Sequence, residues 1–287
     1  MREVGLVVKV LASHVEVRVG DERLKARPRG KLRGEDIYVG DLVEVERGRV
    51  ATIEKRLPRR NVMTRPFVAN VDTVVMVVAP VPAPDFVIAD KVLINAYQTG
   101  VKPVLVFNKC DLADKADIDL TLEGYGKHFE TFFVSTLTGE GLDAFKARIK
   151  GETVCFAGQS AVGKSSLINA LYDLGVRVGA VSERWRRGRN TTRTVELFDI
   201  GDDTMIVDTC GFSVFTLVDM DEEELKYYYD EFSDYEGECR FRGCNHIDEP
   251  SCAVKKAVEE GRINRNRYLR YRFIFEELKE RRKRKYD

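Results

Sequence analysis

This 287-residue chain has no apolar run near the ~20 residues that a membrane span needs. It has no internal repeat either, so a repeat-array architecture is not expected. The start, Met1-Arg2-Glu3-Val4, lacks a long apolar core ahead of a small-residue cleavage site, and secretion is not expected. No lipidation signal points to a membrane surface. The expected compartment is the cytoplasm, where its six cysteines are not expected to pair as disulfides. Histidine is scarce, at three residues. Net charge is zero with 44% hydrophobic and 33% charged residues, a composition without the mark of disorder. The length suffices for two or three domains.

The zero balance hides segregation. Residues 1–65 carry +6, residues 66–215 carry −4, residues 216–238 carry −9 and residues 239–287 carry +7. Two basic ends around an acidic middle point to a polyanionic partner gripped at both ends. Either end alone also reads as a solvated face.

Residues 4–56 read as short strands: Val4 to Val10, His14 to Val19, Glu22 to Arg27, Asp41 to Glu46 and Ala51 to Lys55. Polar and apolar residues alternate in them, and Gly and Asp punctuate them. Five strands in about sixty residues suit an OB-fold barrel, and an SH3-like barrel would read almost identically. Arg56 to Asn61 reads as the exit linker. Next come nearly continuous apolar strands at Val71–Ala79, Lys102–Phe107, Thr131–Val134 and Thr153–Ala157, with Thr194–Ile200 and Thr204–Val207 after them. Helical segments intervene at Asp85–Gln98 and Leu142–Ile149. That alternation predicts a doubly wound α/β sheet buried on both faces. Glu222–Phe232 reads as an acidic helix and Asn264–Lys285 as a basic one.

Two motifs carry the chemistry. Gly158-Gln159-Ser160-Ala161-Val162-Gly163-Lys164-Ser165 is a phosphate-binding loop between a strand and a helix that continues through Ser166. Its amides and the helix N-terminus face phosphates, Lys164 reaches the β- and γ-phosphates, and Ser165 offers a hydroxyl to Mg²⁺. Asn108-Lys109-Cys110-Asp111 ends another buried strand and has the N-K-x-D form. Asp111 accepts from the guanine ring N–H and exocyclic amine, a donor pair adenine lacks. Asn108 offers an amide, and Lys109 covers the ring with its stem. Ser135-Thr136, one strand later, stands where a loop approaches the guanine carbonyl. The guanine reader precedes the phosphate loop, the reverse of ordinary small GTPases, so the chain reads as circularly permuted.

Asp208-Thr209-Cys210-Gly211 has the form of the D-x-x-G switch, with Asp208 on Mg²⁺ through water and the Gly211 amide on the γ-phosphate. Arg184 to Arg193 reads as the first switch; Thr191 or Thr192 completes the Mg²⁺ shell, with Thr192 preferred. Phe212 stands where Ras-like enzymes place a water-orienting Gln. Further on, Cys239-x4-Cys244-x-His246-x5-Cys252 offers three thiolates and an imidazole, a closed tetrahedral Zn²⁺ shell with a structural role. Cys110, Cys155 and Cys210 read as packing residues.

Barrel, permuted nucleotide motifs and Cys₃His module together closely resemble the bacterial RsgA (YjeQ) family of small-subunit ribosome biogenesis GTPases. The resemblance spans nearly the whole chain. It implies an OB-fold RNA-binding domain (1–63), a circularly permuted GTPase domain (64–215) and a mostly helical zinc-binding domain (216–287). It implies a monomer that binds the small ribosomal subunit and its rRNA, acts late in subunit maturation, and hydrolyses GTP to GDP and phosphate to drive release. The family commonly has G-R-H-T-T in the first switch, with a His proposed to assist catalysis. Here Gly188-Arg189-Asn190-Thr191-Thr192 puts Asn190 there, which can orient water but cannot act as a base. Asn190 and Thr192 are therefore only weak catalytic candidates. The competing reading is an RNA-binding assembly factor that binds GTP with negligible hydrolysis. Permutation also puts the D-x-x-G switch just ahead of the C-terminal module, so γ-phosphate loss is expected to pull on it.

Overall fold

The computed structural model describes residues 2–32, 35–64, 67–126, 129–173, 195–208 and 220–286. Five strands open the chain: β1 (Arg2–Val10), β2 (Val15–Val19), β3 (Glu22–Pro28), β4 (Leu42–Glu46) and β5 (Ala51–Arg56). β1 pairs with both β2 and β4, and β3 runs parallel to β5. With β2–β3 and β4–β5 antiparallel, the ring 1-2-3-5-4-1 closes. That closure is the Greek-key OB-fold, and it decides between the two barrels the strand pattern leaves open. Val7, Val17, Val43, Val45 and Ile53, all fully buried, fill it. Of the stretch read as a linker, Arg56 ends β5 and Leu57 to Asn61 has no regular structure. A hairpin of β6 (Val62–Thr64) and β7 (Phe67–Ala69) follows it. Three-residue strands are too short to show alternation, and the sequence reading misses them.

The second sheet comprises β8 (Thr73–Val78), β9 (Lys102–Asn108), β10 (Glu130–Val134), β11 (Thr153–Ala157), β12 (Glu196–Asp199) and β13 (Met205–Asp208). Its order is β10-β9-β8-β11-β13-β12, parallel throughout except for the antiparallel β12–β13 pair. Helices α1 (Phe86–Thr99) and α2 (Lys115–Tyr125) lie on one face, with Val74, Met76 and Val78 packed in their core. Helices α3 (Leu142–Arg148) and α4 (Lys164–Asp173) share the other core with Val75 and Val77. Two covered faces are why β8 is apolar at every position but one. α1 starts where Asp85 accepts from the N–H groups of Val87 and Ile88, and stops at Gly100 in the left-handed region.

Barrel and sheet are joined edge to edge. The register of β1 shifts between Val7 and Lys9. Strand alternation sends Val7 into the barrel core and Val8 into the core under α1. Lys9 then pairs across to Glu196 on β12, and its Nζ sits 2.7 Å from the buried Glu196 carboxylate. Arg23 approaches the same carboxylate at 3.3 Å, and Arg18 bonds Asp199.

The C-terminal module contains a 3-10 stretch over Glu222–Tyr228, a one-turn helix at Asp230–Ser233, α5 (Ala253–Glu259) and α6 (Arg265–Tyr286). The acidic helix expected over Glu222–Phe232 is thus two tight pieces broken at Tyr229, whose φ of −114° and ψ of 89° are not helical. The break turns the Tyr229 ring into the module's core, against Phe232 and Tyr271. The module is fastened to α1. Asp90, 1% exposed, accepts from Arg267 at 2.9 Å, Arg270 at 2.6 Å and the Tyr125 hydroxyl at 2.8 Å.

Candidate nucleotide site and metal centre

The carboxyl ends of β9, β10, β11 and β13 open on one edge of the sheet, which is where ligands bind in such folds. The phosphate loop leaves β11 at Gly158 and enters α4 at Lys164. Gly158 has φ +135°, and a Cβ there would stand 2.2 Å from the Val77 carbonyl oxygen. Gly163 has φ +93°, and a Cβ there would stand 2.3 Å from the Asn108 amide nitrogen. The second clash explains the motif's second glycine: the N-K-x-D motif packs directly on this loop. Asn108, fully buried, donates through Nδ2 to the Val162 carbonyl at 2.9 Å. Lys109, itself at φ 60°, donates to the carbonyls of Ala161 at 2.8 Å and Val81 at 2.6 Å. Two motifs about fifty residues apart thus form one site. Gln159 adds a link, accepting from the Asp85 N–H at the head of α1 at 2.8 Å.

The base side is ordered in the same way. Buried Ser135 donates to the Asp111 carboxylate and accepts from the amides of Leu137 at 3.2 Å and Thr138 at 3.1 Å. Asp111 itself is exposed and Thr136 half-buried. On the phosphate side, Lys164 donates to the carbonyls of Gly158 at 2.6 Å and Gln159 at 2.5 Å. Burial pulls its ammonium pKa down to about 8, because only neutral dipoles offset the desolvation. A buried ammonium held by two carbonyl dipoles is suited to meet a phosphate. Ser160, Ala161, Ser165 and Ser166 are exposed around it. Asp208 closes β13 beside β11, as the switch reading requires. Its side chain, Thr209 to Phe212 with Cys210 and Gly211, and Arg184 to Arg193 with Asn190, Thr191 and Thr192, lie outside the described residues. Cys155 is buried in β11, where its thiol pKa is pushed up to about 12, so it is a packing residue.

In the C-terminal module the ligand atoms of Cys239, Cys244, His246 and Cys252 all lie within 4.8 Å of one another. The Cys239 and Cys252 sulfurs are 3.9 Å apart. A tetrahedron with metal–sulfur bonds of 2.3 Å asks for about 3.8 Å. His246 turns Nδ1 toward the cluster, 3.3 Å from the Cys252 sulfur. Burial lowers its imidazole pKa to about 4 and raises the Cys244 thiol to about 12. Packed acceptors of this kind fit a cation. The supports are visible: the amides of Ala253 and Lys255 point at the Cys239 and Cys252 sulfurs at 3.4 and 3.5 Å. Glu249 bridges the amides of Asn245 and Ile247, and Tyr268 holds the His246 carbonyl at 2.7 Å. The sequence reading picks out all four clustered residues but not Asp90, Arg267 or Arg270, whose spacing carries no motif.

The family model described as RsgA GTPase matches residues 56–218. The small ribosomal subunit biogenesis GTPase RsgA of Thermotoga petrophila is 42% identical, over 99% of both chains. The protein of the same name from Caldanaerobacter subterraneus is 37% identical over 98% of both. The crystal structure of YjeQ from Thermotoga maritima superposes with a TM-score of 0.83 at 38% identity, covering 97% of this chain and 99% of that one. YloQ, described as a circularly permuted GTPase, superposes with a TM-score of 0.78 at 29% identity, covering 98% and 96%. Matched across the nucleotide site by the family model and end to end by its relatives, the chain belongs to the RsgA GTPase family.

Proposed function

We propose that this protein is a cytoplasmic, monomeric GTPase that binds the small ribosomal subunit and its rRNA late in maturation, and that hydrolysis of GTP drives its release. The observation that carries the nucleotide half is the direct bond from Asn108 to the phosphate loop, which locks base reader and phosphate cradle at one sheet edge. The ribosomal half is supported by the relatives' names and by the basic termini. Residues 1–63 form the RNA-binding barrel, 64–215 the GTPase domain and 216–287 the zinc-binding domain.

In this reading Asn108, Lys109, Asp111, Ser135 and Thr136 hold guanine. Gly158 to Ser166, with Asp208 and Gly211, hold the phosphates. Ser165, Thr192 and Asp208 hold Mg²⁺, which neutralises phosphate charge when bound. Cys239, Cys244, His246 and Cys252 hold zinc. Lys164 is poised by burial to meet a phosphoryl anion, and Ser135 keeps the Asp111 carboxylate aimed. Since neither Phe212 nor Asn190 is a base, water activation falls to a group completed on the subunit.

Turnover measured with and without purified small subunits tests this. Stimulation on the order of 10²-fold is expected, the size of one supplied catalytic group. Turnover that stays at background on subunits would instead make the protein an RNA-binding factor that holds GTP with negligible hydrolysis. Asp111→Asn removes the acceptor for two guanine donors. GTP affinity is expected to fall about 10²-fold or more while xanthine nucleotides gain. Unchanged binding of both nucleotides would remove Asp111 from the base site.

A further inference from the structure

Beside the metal cluster the C-terminal module holds a cavity of about 460 Å³, within the range of small-ligand pockets. Two of its walls are rings that the fold leaves exposed although its core is rich in aromatics: Tyr227 at 69% and Phe241 at 44%. Phe241 lies in the spacer between the first two metal ligands, which reads Arg240-Phe241-Arg242-Gly243. The cluster therefore presents cation, ring and cation in succession. The Arg240 guanidinium lies 5.5 Å from the Phe241 centroid, and Lys226 Nζ lies 5.3 Å from that of Tyr227. Neither Arg240 nor Arg242 has a carboxylate partner among the described residues. In the barrel Arg2, Arg18, Arg23, Arg29, Arg47, Arg56 and Arg59 face acids, whereas Arg27 and Arg49 have no ion pair among the described residues. Asp230 and Glu236 also line the cavity, two carboxylates beside its aromatic and basic walls, and Asp230 is engaged by the Tyr97 hydroxyl.

We propose that this cavity takes one unstacked RNA nucleotide, with its base against the Tyr227 and Phe241 rings and its phosphate on Arg240 and Arg242. Exposed aromatics stack any base, and free guanidiniums meet the backbone, the pairing by which proteins hold single-stranded RNA. The Glu236 carboxylate accepts from base N–H groups and would repel a phosphate, so the base enters and the phosphate stays outside. An acidic peptide would meet the same repulsion without using the rings. The proposal rests on rRNA being the partner and adds the point of contact.

The test uses the full-length, metal-loaded protein with a GTP analogue. Affinity is measured for small subunits and for single-stranded RNA ten-mers carrying 2-aminopurine, across a salt series. Both rings are exposed, so Tyr227→Ala and Phe241→Ala are expected to fold, keep their metal and retain basal GTP turnover. Each is expected to weaken both partners about 5- to 100-fold with an unchanged salt slope, and Tyr227→Phe to restore binding. Arg242→Ala is expected to lower the salt slope by about one. Wild-type affinity for both partners in the double aromatic variant would overturn the proposal while leaving the rRNA reading intact. Weakened subunit binding with unchanged oligonucleotide affinity would assign the cavity to a protein side chain and overturn it too. A wild-type protein that binds neither partner would remove the rRNA reading and the proposal together.

Discussion

Removing the metal, by chelation or by Cys244→Ala, is expected to melt the segment from Glu238 to Cys252 and free the C-terminal module from its fold. That segment has no helix or strand, so no backbone ladder orders it. What holds it is the ligand set, the Glu249 bridge and the two tyrosine hydroxyls on the carbonyls of Asn245 and His246. Zinc binding in small modules is worth on the order of 10 kcal/mol at neutral pH, far more than those hydrogen bonds. His246 also has φ +60°, a strained setting that persists only while something holds it. Hydrogen exchange by mass spectrometry reads the effect, with metal content measured in parallel. About one zinc per chain is expected, with loss of protection confined to this module and guanine nucleotide binding retained. Equal protection in metal-free and metal-loaded protein would show that the thiols only pack.

Asp90→Ala is expected to destabilise the protein by about 3–5 kcal/mol, the cost of breaking a buried ion pair by deleting one partner. Arg267 is 2% exposed and Arg270 13% exposed as side chains, and both point at Asp90 from α6. Their rings of contact, Tyr125, Tyr229 and Phe86, offer cation–π support but no countercharge. Glu231 is left as the acid facing Arg267, while Arg270 loses its one ion pair among the described residues. Asp90→Asn keeps the shape and one acceptor and should cost less. The measurement is chemical denaturation followed through the nucleotide site and the C-terminal module separately. The expected sign is early loss of the module, because α1 itself stays packed through Ala89, Val92 and Leu93. A shift under 1 kcal/mol would mean the module is held by apolar contact such as Ile94 alone.

These two expectations differ in how far they could be foreseen. The Cys₃His cluster sits within fourteen residues, so its convergence is a local matter of chain length. The same holds for the phosphate loop, where strand, glycines and helix are consecutive. The Asp90 staple joins residues 177 and 180 positions apart, and nothing near Asp90 marks it as different from a surface carboxylate. The break at Tyr229 was illegible for a related reason. Acidic residues and a hydrophobic spacing favour a helix locally, but the break seats Tyr229 against Tyr271, far along the chain, while Tyr227 stays exposed.

The expectation that the switch pulls on the C-terminal module also gains context. That module is anchored to α1, which precedes the N-K-x-D strand, whereas the β12–β13 hairpin carries the barrel through Lys9 and Glu196. Both basic ends therefore connect physically to the nucleotide domain, at different points.

The sequence by itself determined the nucleotide motifs, their permuted order, the Cys₃His set and the two sheet types, because each rests on residues close in the chain or on a period along it. Tertiary structure alone decided which small barrel forms, how β1 divides Val7 and Val8 between two cores, and where each module is fastened. Those outcomes depend on pairing register and on which charges are buried together, and free energies of that kind exist only once distant segments meet.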